Sequence, residues 1–157
     1  MFISGRLSPL RGPSPDPDRW YRLRHFTDEE KKNRFVLLVA PDNAAGVSLR
    51  REDSGPAPIR SELRMFASLI YPGVSLVHAP LGNSQTKKKG YIHVIQKSGY
   101  NPGPARGVTL RIGSQADGPQ VELQEGDGAY LAYEPGAELR LENDGQGIAE
   151  VLLFDLE

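Results

Sequence analysis

The last third of the chain sets the pattern. V-E-L, A-Y-L-A-Y, E-L-R-L and A-E-V-L-L-F-D-L alternate apolar and polar positions between Gln120 and Glu157. Gly, Pro, Asn and Asp interrupt them, at Gly126-Asp127-Gly128, Pro135-Gly136 and Asn143-Asp144-Gly145. A period of two is the strand period, and closely spaced turn residues are the punctuation of antiparallel sandwiches and barrels. The same reading extends upstream. Trp20 to Phe26 alternates as a strand, and Phe35 to Ala40 (F-V-L-L-V-A) is a continuous buried strand. Val47 to Arg51 is a short strand and Ser54 to Pro58 a loop. Ser61 to Ile70 is a long strand that puts Leu63, Met65, Ala67 and Leu69 on one face. Val74 to Ala79, Tyr91 to Gln96, Val108 to Ile112, Val121 to Leu123, Ala129 to Tyr133, Glu138 to Leu141 and Ala149 to Leu156 complete the series. The one helical signal is Thr27-Asp28-Glu29-Glu30, where Thr27 can cap and Glu30 stands three residues on. A single turn of helix is expected there.

Composition narrows the class. The chain has 157 residues, the size of one domain with a real core. Its 17 glycines and 13 prolines suit many turns and few long helices. With 19 Lys+Arg against 20 Asp+Glu, no general attraction to nucleic acid or to an anionic membrane is expected. The absence of cysteine excludes disulfides, thiolate metal sites and a cysteine nucleophile. It is compatible with a reducing compartment, and the expected location is the cytoplasm, with the nucleus as the alternative. No apolar run approaches the roughly 18 residues of a membrane span, and Met1 to Ser4 is too short for a signal peptide. Residues 1–18 carry Pro9, Pro13, Pro15 and Pro17 and read as a disordered tail ahead of a domain over 19–157.

Several blocks of the pattern resemble a known family. Leu37-Leu38-Val39-Ala40-Pro41-Asp42 with Gly46-Val47-Ser48-Leu49, then Tyr91-Ile92-His93-Val94-Ile95, then Leu123 through Gly126-Asp127-Gly128-Ala129, then Glu150 through Leu156, are similar to the carboxy-terminal cupin domain of the pirin and quercetinase-like (quercetin 2,3-dioxygenase) family. The Gly126-Asp127-Gly128 corner followed by Pro135-Gly136 has the spacing of the second cupin motif. The resemblance implies an all-β, cupin-like (RmlC-like) jelly roll or double-stranded β-barrel. Members of that family carry two cupin domains. The first binds a metal and is linked to flavonol oxygenation, whereas the second usually lacks metal ligands and packs against the first. The resemblance therefore implies a metal-free structural, binding or regulatory module. The alternative is a metal-dependent cupin dioxygenase acting on a flavonol-like molecule, with iron or another divalent transition metal as cofactor. The implied partners are a second copy of the chain or a separate cupin domain, and a small aromatic ligand.

The residues support little chemistry beyond this. A cupin metal centre takes several imidazole nitrogens and a carboxylate. His78 stands where the first motif would begin, but the second ligand position is Pro80, and Gly73 to Tyr100 contains no Glu. Glu138 or Leu139 stands where the last histidine ligand would be. No metal ligands and no catalytic residues are assigned. His78, Tyr91 and His93 are the candidate ligand-binding residues. If the face shared by Tyr91 and His93 points inward, they line a cavity with Met65 or Leu76. The simpler reading places that face against solvent or a partner sheet. Glu29-Glu30 and the Glu122, Glu125 pair read as solvated charge. Asp127 reads as a turn residue that bonds nearby amides between glycines at positive φ. Lys87-Lys88-Lys89 reads as a solvated loop, and Ser98 to Gly107 as an insertion. Trp20, Tyr21 and Phe26 form a candidate self-association surface.

Overall fold

The structure is a computed structural model describing residues 24–50, 53–81, 85–96, 99–101, 109–113 and 120–156. The expected tail over 1–18, Trp20, Tyr21 and most of the 98–107 insertion lie outside the described residues. One helical turn, α1 (Asp28–Lys31), precedes ten strands: β1 (Val36–Pro41), β2 (Ala57–Ile59), β3 (Arg64–Ile70), β4 (Ser75–His78), β5 (Lys88–Val94), β6 (Thr109–Gly113), β7 (Gln120–Gln124), β8 (Gly128–Tyr133), β9 (Leu139–Asn143) and β10 (Ala149–Leu156). They form a six-stranded sheet of order β2-β1-β3-β10-β5-β8 and a four-stranded sheet of order β4-β9-β6-β7. All pairings are antiparallel except β1 with β2. The chain is an all-β double-layered barrel, as the alternation predicts.

Strand β10 lies in the middle of the larger sheet, paired along its length to β3 and to β5. Its burial alternates without a break: Ala149, Val151, Leu153 and Asp155 are buried and the residues between them are half-buried. Opposite residues of an antiparallel pair share a face, so this parity fixes the inward set on its neighbours: Phe66, Ser68 and Ile70 on β3, and Gly90, Ile92 and Val94 on β5. These meet Leu110, Ile112, Leu123, Leu139 and Leu141 of the smaller sheet in one hydrophobic cluster. Burying each such side chain contributes roughly 1.5–3 kcal/mol. Ala67 and Leu69 of β3 are buried as well, on the other face.

Helix α1 is built as its sequence dictates. The Thr27 hydroxyl accepts from the Glu30 amide at 3.2 Å, and the Thr27 amide donates to the Glu30 carboxylate at 2.7 Å. This reciprocal capping holds the Glu30 carboxyl below its ordinary value. The side-chain part of the Asp127 expectation holds: its carboxylate accepts from the Gln124 amide at 2.9 Å; of the two flanking glycines only Gly126 turns at positive φ, +89, while Gly128 opens strand β8.

Five expectations are corrected, the first being that Lys88 and Lys89 open strand β5 rather than lie in a loop. Arg24 to Phe26 and Val47 to Arg50 are not strands. Instead the Arg24 guanidinium ties the two segments together, donating to the carbonyls of Ser48 and Arg50 at 3.0 Å each. A strand, β2, forms in the segment read as a loop. It pairs on one side only, where Pro58 costs no ladder bond. Glu125 is buried rather than solvated and accepts from the Asn101 amide group at 3.0 Å.

Replacing a core residue and its outward neighbour on β5 tests the parity. Ile92→Ala is expected to cost about 2–5 kcal/mol in urea denaturation, and His93→Ala about 0.5 kcal/mol.

Candidate functional site

The two sheets are joined by buried polar ties at opposite ends of β9. At one end Asn143, fully buried, donates to the carbonyls of Ile70 at 2.7 Å and Gly147 at 2.9 Å. At the other end β9 begins at Leu139, which pairs with His78 on β4. There the His78 Nε2 lies 2.9 Å from the Asp155 Oδ1 of β10, bridging the sheets. The second carboxylate oxygen of Asp155 accepts from the Leu81 amide at 3.1 Å. A carboxylate that only accepts sets the His78 tautomer, with the hydrogen on Nε2. The ring is held edge-on by Phe35 and Phe66, with centroids 5.4 and 4.9 Å away, and His78 is 7% exposed.

Tyr133, the last residue of β8, completes this cluster. Its hydroxyl is buried and is given no hydrogen-bond partner among the described residues. Burial pushes the phenol well above its ordinary value of 10.0, and the nearby Asp155 carboxylate acts in the same direction. The phenol packs over Gly90. A Cβ at Gly90 would lie 2.8 Å from the Phe154 carbonyl oxygen and 3.1 Å from the Tyr133 hydroxyl, so only glycine fits there. Beside Tyr133 a cleft of about 150 Å³ opens among Ala79, Pro80, Thr86, Lys88, Glu134 and Glu138. This is half the volume at which pockets for drug-sized ligands begin, about 300 Å³. It suits a small polar molecule or a few waters better than a flavonol-sized ring system.

The structure separates the three candidate ligand-binding residues. His78 lies inside the barrel at its Asp155 end. Tyr91 and His93 face outward from β5, because Ile92 and Val94 take the inward positions. The cavity-lining alternative for Tyr91 and His93 is therefore corrected, Met65 lies on their outer face, and only Leu76 packs against the core. Asp155 and Tyr133 were not singled out from the sequence. The signal for Asp155 was present: it continues the inward parity of Val151 and Leu153, where an acid must find a buried partner. Tyr133 had no such signal, because its surroundings come from distant segments.

A transition metal, which cupin frames elsewhere hold, does not fit these residues. His25 is exposed near α1, His93 is on the outer face, and His78, whose Nε2 bonds Asp155, stands as a single imidazole with only Nδ1 left to coordinate. Leu139, 5% exposed, sits in the core at the position of a last ligand, and Glu138 points to the cleft rim. Among the described residues no group of three or more His, Cys, Asp or Glu could hold a metal ion. No described helix is long and apolar enough to cross a membrane.

No protein-family model and no curated protein matches the chain. Solved structures do. YhhW from Escherichia coli superposes with a TM-score of 0.53 at 17% identity, covering 80% of this chain and 39% of that one. A second structure, the bacterial pirin YhhW from Escherichia coli in complex with nickel(II), gives 0.51 at 18% identity over 78% of this chain and 39% of that one. A cupin_2 domain of an XRE family transcriptional regulator from Enterobacter cloacae gives 0.42 at 13% identity, over 60% of this chain and 81% of that domain. The fold is thus cupin-like, and the chain spans about two fifths of the length of YhhW.

Two outcomes follow from the buried cluster. Asp155→Ala, which strands His78 in the core, is expected to cost about 3–5 kcal/mol in chemical denaturation. Tyr133→Phe removes an unpartnered buried hydroxyl and is expected to stabilise the fold by about 1 kcal/mol. Below the ordinary phenol value of 10.0 both states carry a neutral Tyr133, and above it only the unfolded chain ionises there. Stability of the parent is therefore lost more steeply than that of Tyr133→Phe as pH rises past about 10, as melting curves across that range will read.

Proposed function

We propose that this chain is a metal-free cupin domain of the pirin-like or quercetinase-like kind, similar in role to the carboxy-terminal half of those proteins, and that it works as a structural, binding or regulatory module rather than as an oxygenase. The observation that carries this reading is the filling of the barrel end where cupin chemistry would sit. Leu139 packs in the core, His78 is locked between Asp155 and two phenylalanine rings, and the adjoining cleft is about 150 Å³. An imidazole held in this way keeps only Nδ1 for coordination, and among the described residues no group of three or more His, Cys, Asp or Glu could complete a metal site around it.

The competing reading is a metal-dependent dioxygenase using iron or a related ion. Its support is the fold likeness to a pirin solved with nickel(II), at 18% identity. Under the module reading, the cleft beside Tyr133 takes at most a small polar molecule, with Lys88, Thr86 and Glu138 at its rim.

Elemental mass spectrometry of the purified chain, before and after incubation with iron, nickel, copper, manganese and zinc salts followed by desalting, separates the readings. The module reading expects no metal near one per chain under any of these conditions. A near-stoichiometric metal that is lost in a His78→Ala, His93→Ala variant retaining its far-UV circular dichroism would overturn it.

A further inference from the structure

We propose that the open edge of β8 is a homodimer interface, in which two copies of this chain pair antiparallel about a two-fold axis at Tyr130. The inference concerns the outer face of the larger sheet and goes beyond the barrel interior. It holds whether or not the cleft takes a ligand.

Four described strands are sheet edges: β2, β4, β7 and β8. Edges are usually blunted by charge, proline or brevity. Strand β2 carries Pro58, β7 carries Glu122, and β4 has four residues followed closely by Pro80. Strand β8, G-A-Y-L-A-Y, has six residues with neither charge nor proline. Among the described residues it pairs with β5 alone, which leaves one side of its backbone for another strand.

The register on the outer face says which strand. Met65, Phe154, Tyr91 and Tyr130 lie directly opposite one another across β3, β10, β5 and β8. They form an apolar row that runs to the edge and stops at Tyr130, 63% exposed, with Tyr91 38% exposed behind it. In a two-fold antiparallel pair, opposed residues must share a face, so the axis passes through a residue rather than between two. With the axis at Tyr130, the row continues into Tyr130, Tyr91 and Phe154 of the second copy. Ala132 of each copy then stands opposite Gly128 of the other, which leaves room for the tyrosine rings between them. Gly128 must stay small for a second reason, since a Cβ there would collide with the Tyr91 hydroxyl. On the inner face Ala129 meets Leu131. No like charges meet along the strand. Asp127 of each copy lies opposite Tyr133 of the other, whose β5 neighbour is Lys88. Glu134, the next residue after Tyr133, comes beside that acidic turn with its carboxylate already paired to Lys87 at 2.8 Å.

The full chain contains no cysteine, so a single introduced one reports cleanly. Directly opposed residues of an antiparallel pair have Cα atoms about 4.5–5.5 Å apart, within the range a disulfide spans. The expected results are a dimer in sedimentation velocity, a self-crosslink in Tyr130→Cys under mild oxidation but not in Val121→Cys on β7, and about tenfold or greater weakening of the dimer in Tyr130→Lys, equivalent to about 1.4 kcal/mol, with an unchanged far-UV circular dichroism spectrum. A monomer at every concentration, or a dimer in which Tyr130→Cys does not crosslink, overturns the proposal.

Discussion

Strand β10 is the constraint on which the barrel rests. It pairs along most of its length with both neighbours, β3 and β5, and its four inward residues are all buried. Removing it would leave β1 to β3 and β5 with β8 as separate ribbons, and two-stranded ribbons are marginal in water. Its contribution is also polar. Asp155, at the far end of that inward set, meets His78 from the opposite sheet. A buried pair of this kind adds little net stability against an apolar equivalent, but losing one partner is costly. The pair therefore sets the register of β4 against β10 more than it tightens the fold.

The second polar tie, Asn143 to Ile70, works at the other end of β9. Between the two ties the interior is aliphatic, from Leu141 and Leu110 to Val151 and Ile92. This arrangement accounts for the barrel's chemistry as well as its stability. At the His78 end Leu139 packs in the core and the imidazole is tied to Asp155. The space left over lies outside the cluster, as a small cleft beside Tyr133. A buried phenol without a partner is an energetic cost, and it is the one described feature of the interior that packing alone leaves unexplained.

The outer face of the larger sheet has a different logic. Apolar residues there do not fill a core. Met65, Phe154, Tyr91 and Tyr130 follow the hydrogen-bonded register to an open edge. The same β5 strand thus serves two surfaces, Ile92 and Val94 inside, Tyr91 and His93 outside, through the period of two alone. Tyr91 and His93 drew notice in the sequence as a pair of functional side chains on one face. They do share that face, and it belongs to a surface rather than to a cavity.

The sequence by itself determined the class and most of the elements. Alternation and turn residues are local signals, so β3, β8, β9 and β10, the Thr27–Glu30 capping box and the Asp127 turn could be read from neighbours a few positions apart. Local signals also misled in places. Val47 to Arg50 alternates like a strand, yet no neighbouring strand takes up its backbone, and Arg24 binds two of its carbonyls instead. Ala57 to Ile59, preceded by Pro56 and containing Pro58, becomes a strand because β1 offers it an edge. What only the tertiary structure decided is which of two equivalent faces points inward, and which distant residues meet. Period two labels the faces of β5 without ranking them, and pairing with β10 ranks them. His78 and Asp155 are 77 positions apart, and Tyr133 reaches them through another strand, so their meeting depends on strand order. Strand order follows from burying both sheets at once, a property of the whole chain that no short window of it contains.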